Sequence, residues 1–307
     1  MSMSVPAAAS DGPSHGPGHG QSLNAVLSEL RPKLHRFCAR MTGSVIDGED
    51  IVQEVCVKAI EAAADGEAVD NVEGWLFRIA HNAALDFLRR RNRQRAALSD
   101  EAADMIADPT ADADRLVAAA ASLRAFMALT AIERSSVILM DVLGYHLDEI
   151  GFITGSSIPS IKAALHRGRA RLRELASESD ERPWPALSAA ESARLSEYAA
   201  LFNARDFDTI RDMLADDVRL ELVNRSRMKG KEVANYFGNY AKVRDWHVTP
   251  GLIDGQPAVL VREGDDPSVP PSYFIMLEWA DGKIVSIRDF RYARYVVESA
   301  GVAALPS

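Results

Sequence analysis

Leu147-Asp148-Glu149-Ile150-Gly151-Phe152-Ile153-Thr154 is followed by Gly155-Ser156-Ser157. The chain then continues Ile158-Pro159-Ser160-Ile161-Lys162-Ala163-Ala164-Leu165-His166-Arg167-Gly168-Arg169. The first stretch reads as a short amphipathic helix, the second as a tight turn, and the third as a longer helix. Ser157 can cap the longer helix, and Pro159 is tolerated in its first turn, where a missing N–H has no intrahelical partner. Ile161, Leu165, Gly168 and Leu172 fall on one face and should pack inward. That leaves Ser160, Lys162, Ala163, His166, Arg167, Arg169, Arg171 and Arg173 outward. A helix with short and basic side chains on its free face can enter a major groove and touch base edges and phosphates. The plainer alternative is a helical hairpin with a solvated basic face.

Working outward, residues 115–177 read as helical throughout, and residues 96–114 read as an acidic linker carrying Asp100, Glu101, Asp104, Asp108, Asp112 and Asp114. Before it, residues 21–95 have helical periodicity. One helix covers roughly 23–41 and includes Pro32. A second starts near Asp47 as cap, with the apolar stripe Ile51, Val52, Val55, Cys56, Ala59 and Ile60. A third starts near Val72 and ends in the basic run Arg89-Arg90-Arg91-Asn92-Arg93-Gln94-Arg95. On it Arg78, Asn82, Asp86 and Arg90 recur every fourth residue, a polar ladder suited to a DNA backbone and exposed bases. Residues 1–20, rich in Ser, Pro, Gly and Ala, read as a disordered tail.

After a second linker at 178–187 the pattern changes. Residues 188–298 open with helix and continue as alternating strands, among them Val218–Leu222, Ala258–Val261 and Tyr273–Leu277. Asp281-Gly282 marks a hairpin. This last third is α+β. The chain has 307 residues and a net charge of −9, which argues against a protein that coats nucleic acid non-specifically but leaves room for a locally basic DNA binder. There is no signal-peptide pattern and no membrane-length apolar run, and the only cysteines are Cys38 and Cys56. A cytoplasmic protein with no membrane contact, cofactor, metal or catalytic residue is the expectation.

Three segments resemble one family, the extracytoplasmic-function (ECF) sigma factors of bacterial RNA polymerase. Asp47-Gly48-Glu49-Asp50-Ile51-Val52-Gln53-Glu54 resembles the family's DAEDLVQE signature, and Gly74 to Arg90 resembles its GWLYRIARNLAIDLLRR segment. Leu143 to Arg169 is similar to its region 4 helix-turn-helix, with Ser160 and Ala164 where the family pattern has Thr and Arg, departures that bear on −35 sequence preference. The resemblance implies two all-α sigma domains, a region 2 helical bundle and a region 4 helix-turn-helix. It also implies binding to core RNA polymerase, at its β′ clamp and β flap, and to promoter DNA. Asp50, Gln53 and Glu54 would meet the clamp. Asn71, Trp75, Arg78, Asn82, Asp86, Arg89 and Arg90 would read the −10 element, with Trp75 either stacking on a base or packing in the core. Ser160, Lys162, Ala163, His166, Arg167 and Arg169 would read the −35 element.

Residues 188–298 resemble the cone-shaped SnoaL-like, or nuclear transport factor 2-like, fold, through Tyr198 to Ile210, Leu214 to Val218, Gly230 to Phe237 and the closing hairpin. Tyr198, Trp246, His247, Asp289 and Tyr292 are the candidate lining of a small-ligand pocket. The resemblance implies regulation of the sigma domains by a ligand or by intramolecular contact. The alternative is a SnoaL-like small-molecule enzyme or sensor fused to a DNA-binding module.

Overall fold

The computed structural model describes residues 23–65, 69–96, 117–118, 121–177, 184, 186–243, 245–264, 266 and 268–305. The tail at 1–20, the acidic linker beyond Ala96 and most of the second linker lie outside the described residues.

The helical head begins with α1 (Leu23–Thr42), α2 (Val45–Ala64) and α3 (Val72–Ala96). The first helix runs through Pro32. The second begins two residues before the expected Asp47. Ser44, in extended backbone, is the true cap, and its hydroxyl accepts the Asp47 N–H at 3.2 Å. On α3 the buried side chains include Leu76, Phe77, Ala80, His81, Ala83, Ala84 and Leu88, while Phe87 is half-buried.

Next come α4 (Leu123–Met127) and α5 (Ala131–Val137), which runs into a π-helical turn at Ile138–Val142. The expected helix-turn-helix follows as α6 (Leu147–Thr154) and α7 (Ile158–Ser177). Gly155 closes α6 at φ 69°, a left-handed conformation that costs glycine little. Val52, Phe77 and Leu34 from the first three helices share one apolar core with Phe126, Val137, Ile150 and Leu165 from the next four.

The C-terminal domain opens with α8 (Ala189–Ala204) and α9 (Phe207–Asp212). Its strands are β1 (Leu214–Leu222), β2 (Ser226–Lys229), β3 (Trp246–Ile253), β4 (Gln256–Glu263), β5 (Tyr273–Ala280), β6 (Lys283–Asp289) and β7 (Val302–Ala304), with α10 (Ala234–Ala241) between β2 and β3. They form one sheet in the order β2-β1-β6-β5-β4-β3-β7, antiparallel except for β1 beside β6. The Asp281-Gly282 hairpin joins β5 to β6 as expected. Asp254-Gly255 makes a second such turn between β3 and β4, with both residues at positive φ.

Alternation along the strands gives the sheet two apolar faces. Val259, Val261, Tyr273 and Ile275 point into the cone, beneath α8 and α10. Ala258, Leu260 and Phe274 point the other way, into a cluster with Ala39, Val45 and Ile46 of the head. The outer face of the cone is therefore docked on α1 and α2.

Candidate nucleic-acid and partner interfaces

The outward face of α7 carries Ser160, Lys162 and Ala163, all exposed, with His166 half-buried beside them. Arg167 and Arg169 depart from the expected outward placement. Gly168 packs so closely on α5 that a Cβ there would come 2.8 Å from a Val137 methyl carbon. This approach brings its neighbours onto acidic partners. Arg167 Nε donates to Glu133 Oε1 at 2.7 Å. Arg169 forks onto Asp141, with Nε to Oδ2 at 2.9 Å and Nη2 to Oδ1 at 2.6 Å, and the Asp141 side chain is fully buried. A bidentate pair of this kind fixes α7 on the π-helical turn. Arg169 is thus a brace of the helix-turn-helix, and Arg167 stands half-engaged at its rim.

On α3, Arg78, Asn82, Asp86, Arg89 and Arg90 are all exposed, so the polar ladder faces outward. Asp86 and Arg89 pair at 2.9 Å. The Arg78 guanidinium lies 5.7 Å from the Phe152 ring of α6. Asn71 is exposed and caps α3, its Oδ1 accepting the Gly74 N–H at 2.8 Å. Trp75 is half-buried and packs on the core. His81, further along the same helix, is buried, and burial pushes its imidazole down to about 4.

The acidic signature on α2 divides three ways. Glu54 is exposed and pairs with Lys58 at 2.6 Å. Asp50 accepts Arg288 Nη2 of β6 at 2.5 Å. Gln53 Oε1 accepts Arg227 Nη2 of β2 at 3.1 Å. Glu221 of β1 aims both arginines, holding Arg288 Nε at 3.0 Å and Arg227 Nε at 2.9 Å. Partial burial raises the Asp50 carboxyl, and Arg288 pulls it back.

Beneath this surface, Glu49 is fully buried. It takes Arg31 Nη2 at 2.6 Å and the Tyr295 hydroxyl of the C-terminal domain at 2.9 Å. Arg31 Nε donates to the same Tyr295 oxygen at 2.8 Å. Burial pushes the Glu49 carboxyl up and Arg31 opposes the shift. Arg31 itself stays charged, because Glu49 and Tyr295 outweigh its own burial. Neighbouring His35 gives Nε2 to the Val45 carbonyl at 2.9 Å and is held near 4 by burial.

Inside the cone the structure brings together Tyr198, Trp246 and Asp289. Tyr236, Tyr240 and Tyr273, which the sequence reading did not select, complete the group. Asp289 Oδ2 accepts the hydroxyls of Tyr240 at 2.7 Å and Tyr236 at 2.9 Å, and Oδ1 accepts the Arg291 N–H at 2.8 Å. Full burial raises the Asp289 carboxyl against these bonds. Burial likewise pushes Tyr273 up to about 12. Among the described residues, the Tyr198 hydroxyl and the Trp246 indole N–H are buried without a hydrogen-bond partner. His247 and Tyr292 do not join this group. Strand alternation turns His247 outward beside Trp246, and Tyr292 is exposed, stacked on Arg225 at 4.3 Å.

The head and its turn of tightly packed helices define a helix-turn-helix protein, and the appended cone makes it a multidomain one. Comparison with known proteins gives the family. The Sigma-70 region 2 model matches residues 26–94. RNA polymerase sigma factor CarQ of Myxococcus xanthus is 31% identical over 161 residues, which cover 52% of this chain and 92% of CarQ. ECF RNA polymerase sigma factor SigE of Mycolicibacterium smegmatis is 30% identical over 165 residues, 52% of this chain, and the chain spans 64% of SigE's own length. The crystal structure of the ECF sigma factor SigJ of Mycobacterium tuberculosis is 20% identical with a TM-score of 0.32, covering 87% of this chain and 95% of that one. The chain belongs to the RNA polymerase sigma factors, in the ECF group. Among the described residues no helix is long and apolar enough to cross a membrane.

Proposed function

We propose that this chain binds core RNA polymerase, directs it to promoters, and is regulated by its own C-terminal domain. The observation that carries the regulatory part is the placement of Arg288 and Arg227. They occupy Asp50 and Gln53, two of the three residues assigned to the polymerase clamp. A partner using those groups must first displace the cone's arginines, so the docked cone competes with polymerase. In this reading α3 reads the −10 element through Asn71, Trp75, Arg78, Asn82, Asp86, Arg89 and Arg90. The outward row Ser160, Lys162, Ala163 and His166 reads the −35 element, with Arg167 released to phosphate on binding. Region 4 meets the β flap.

The test is the affinity of the full chain for core polymerase. Asp50→Ala should weaken it, and Arg227→Ala with Arg288→Ala should strengthen it. Absence of binding by parent and variants alike would overturn the reading.

A second reading has one specific support. The orphaned Tyr198 hydroxyl and Trp246 N–H flank the Asp289 cage, and buried donors without partners are costly. A small polar ligand in the cone would satisfy both and could tune the docking. Isotope-edited NMR of the Trp246 indole N–H during titration with a metabolite extract would report such a ligand directly. An unshifted signal would count against it.

A further inference from the structure

Four separate stretches of the chain meet at the tip of the β3–β4 hairpin. Asp254 holds a left-handed φ of 49°, as the first residue of a two-residue Asp-Gly hairpin turn does. Its Oδ2 accepts the Val45 N–H at 2.8 Å, and its Oδ1 accepts the Gly301 N–H at 2.8 Å. The carboxylate thus satisfies a free donor in the first turn of α2 from another domain, where negative charge also suits the helix dipole.

Trp184, from the stretch joining head and cone, covers this knot. A Cβ on Gly255 would lie 2.6 Å from Trp184 Cε3, and a Cβ on Gly301 would lie 2.7 Å from Cζ2. The two glycines make a floor that only a bare backbone provides. Arg124 of α4 stacks on the same indole, its guanidinium carbon 3.7 Å from the ring centroid, and its charge also acts on Asp254.

The consequence is mechanical. The cone is fixed to region 2 by Asp254 on Val45, by Arg288 on Asp50 and by Tyr295 on Glu49. Region 4 meets the cone through Leu123, in the apolar cluster on the cone's outer face, and through Arg124 on Trp184. Regions 2 and 4 also share one apolar core. Promoter elements about 25 base pairs apart lie about 85 Å apart at 3.4 Å per base pair. Helices packed in one core cannot reach both, so region 4 must leave region 2 for the proposed function to proceed.

We infer that Trp184 is a latch: clasped between Arg124 and the Gly255–Gly301 floor, it ties region 4 to the cone and so holds the head closed. This rests on the sigma-factor reading for its purpose, but not for its test. Opening lifts Arg124 off the indole and leaves the cone docked on region 2. Ala39, Val45 and Ile46 of region 2 keep most of the cone's outer apolar face covered while region 4 swings away and withdraws Leu123.

The experiment is a distance measurement on the full chain without polymerase. Spin labels go on V57C of α2 and R171C of α7, both exposed positions, the native Cys38 and Cys56 being buried. Three further variants probe the latch separately. W184A removes the indole, R124A removes its hold on region 4, and G301A leaves the indole intact but fills its floor. Each should raise the population with a long region 2 to region 4 distance by about tenfold, the equivalent of one desolvated cation–π contact. W184F should restore most of the closed population. If W184A does not fold, R124A and G301A decide. Folded variants that all keep the parent's distance distribution would overturn the latch. Variants that open yet bind no polymerase would count against the sigma-factor function and leave the latch standing.

Discussion

Glu49 and Asp289 are both fully buried, and they are answered in opposite ways. Glu49, at the seam between region 2 and the cone, faces a whole guanidinium from Arg31 and a hydroxyl from Tyr295. Asp289, inside the cone, faces two tyrosine hydroxyls and one backbone N–H, with no cation bonded to it. A charge taken from water needs a partner of opposite charge or it tends to take up a proton. Burial raises both carboxyls, but the seam sets a bonded guanidinium against that shift, whereas the cone interior sets hydroxyls, a backbone N–H and the more distant charge of Arg291. One is a structural joint across domains. The other is a polar cavity floor.

The contrast can be broken at the ion pair first. Arg31→Leu leaves Glu49 buried with a single hydroxyl, and should cost about 3–5 kcal/mol in chemical unfolding of the full chain. A loss under 1 kcal/mol would mean that Glu49 is already protonated. Tyr240→Phe removes one of two hydroxyls from Asp289 and should cost about 1–3 kcal/mol.

The pH dependence sharpens the same difference. Burial raises the folded pKa of Asp289 above the ordinary 3.8. The folded state then binds its proton more readily than the unfolded state. Its contribution to stability is full below about pH 3.8 and is lost as pH rises through the raised folded value. Asp289→Asn should abolish that decline. Unfolding parent and variant across pH 4 to 8 should show their difference growing with pH in the variant's favour. A constant difference would place the Asp289 pKa at its ordinary value. The Tyr198 hydroxyl predicts a smaller effect of opposite sign to Tyr240. Having no partner among the described residues, it should be replaceable by Phe with no loss, or with a gain of up to about 1 kcal/mol. A clear loss would show that an occupant of the cone bonds to it. Smallest of all, Asp50→Ala should change stability by less than about 1 kcal/mol, since its pair with Arg288 is half-exposed.

Much of this architecture was legible in the residues. The helix-turn-helix, its Gly155 turn and the outward Ser160, Lys162 and Ala163 follow from periodicity and local backbone chemistry. The Asp281-Gly282 hairpin does too, and Asp254-Gly255 carries the same signal. What periodicity could not supply was partnership. Arg167 and Arg169 look outward on a helical wheel, yet Gly168 lets α5 approach, and Glu133 of α5 and Asp141 of the π-helical turn capture them. Asp50 and Gln53 look solvated, yet the cone's arginines reach them from residues more than 170 positions away. Tyr236, Tyr240 and Tyr273 read as ordinary core aromatics, because only the packing of α10 over the sheet brings the first two hydroxyls to Asp289 and sets Tyr240 against Tyr273. His247 was misplaced for the reverse reason: it neighbours Trp246 in sequence, and strand alternation sends it to the other face.

The central claim is that a polymerase-binding surface is held by the cone's own arginines. Run-off transcription with core polymerase on fragmented genomic DNA tests it most directly, comparing the full chain with an Arg227→Ala, Arg288→Ala variant. Point changes are preferable to truncation, since cutting after Ser177 would bare Val45, Ile46 and Leu123. The account predicts discrete start sites dependent on the chain, with the same sites and greater yield from the variant. No transcripts from either protein, together with no polymerase binding, would contradict it and favour a SnoaL-like enzyme or sensor fused to a DNA-binding module.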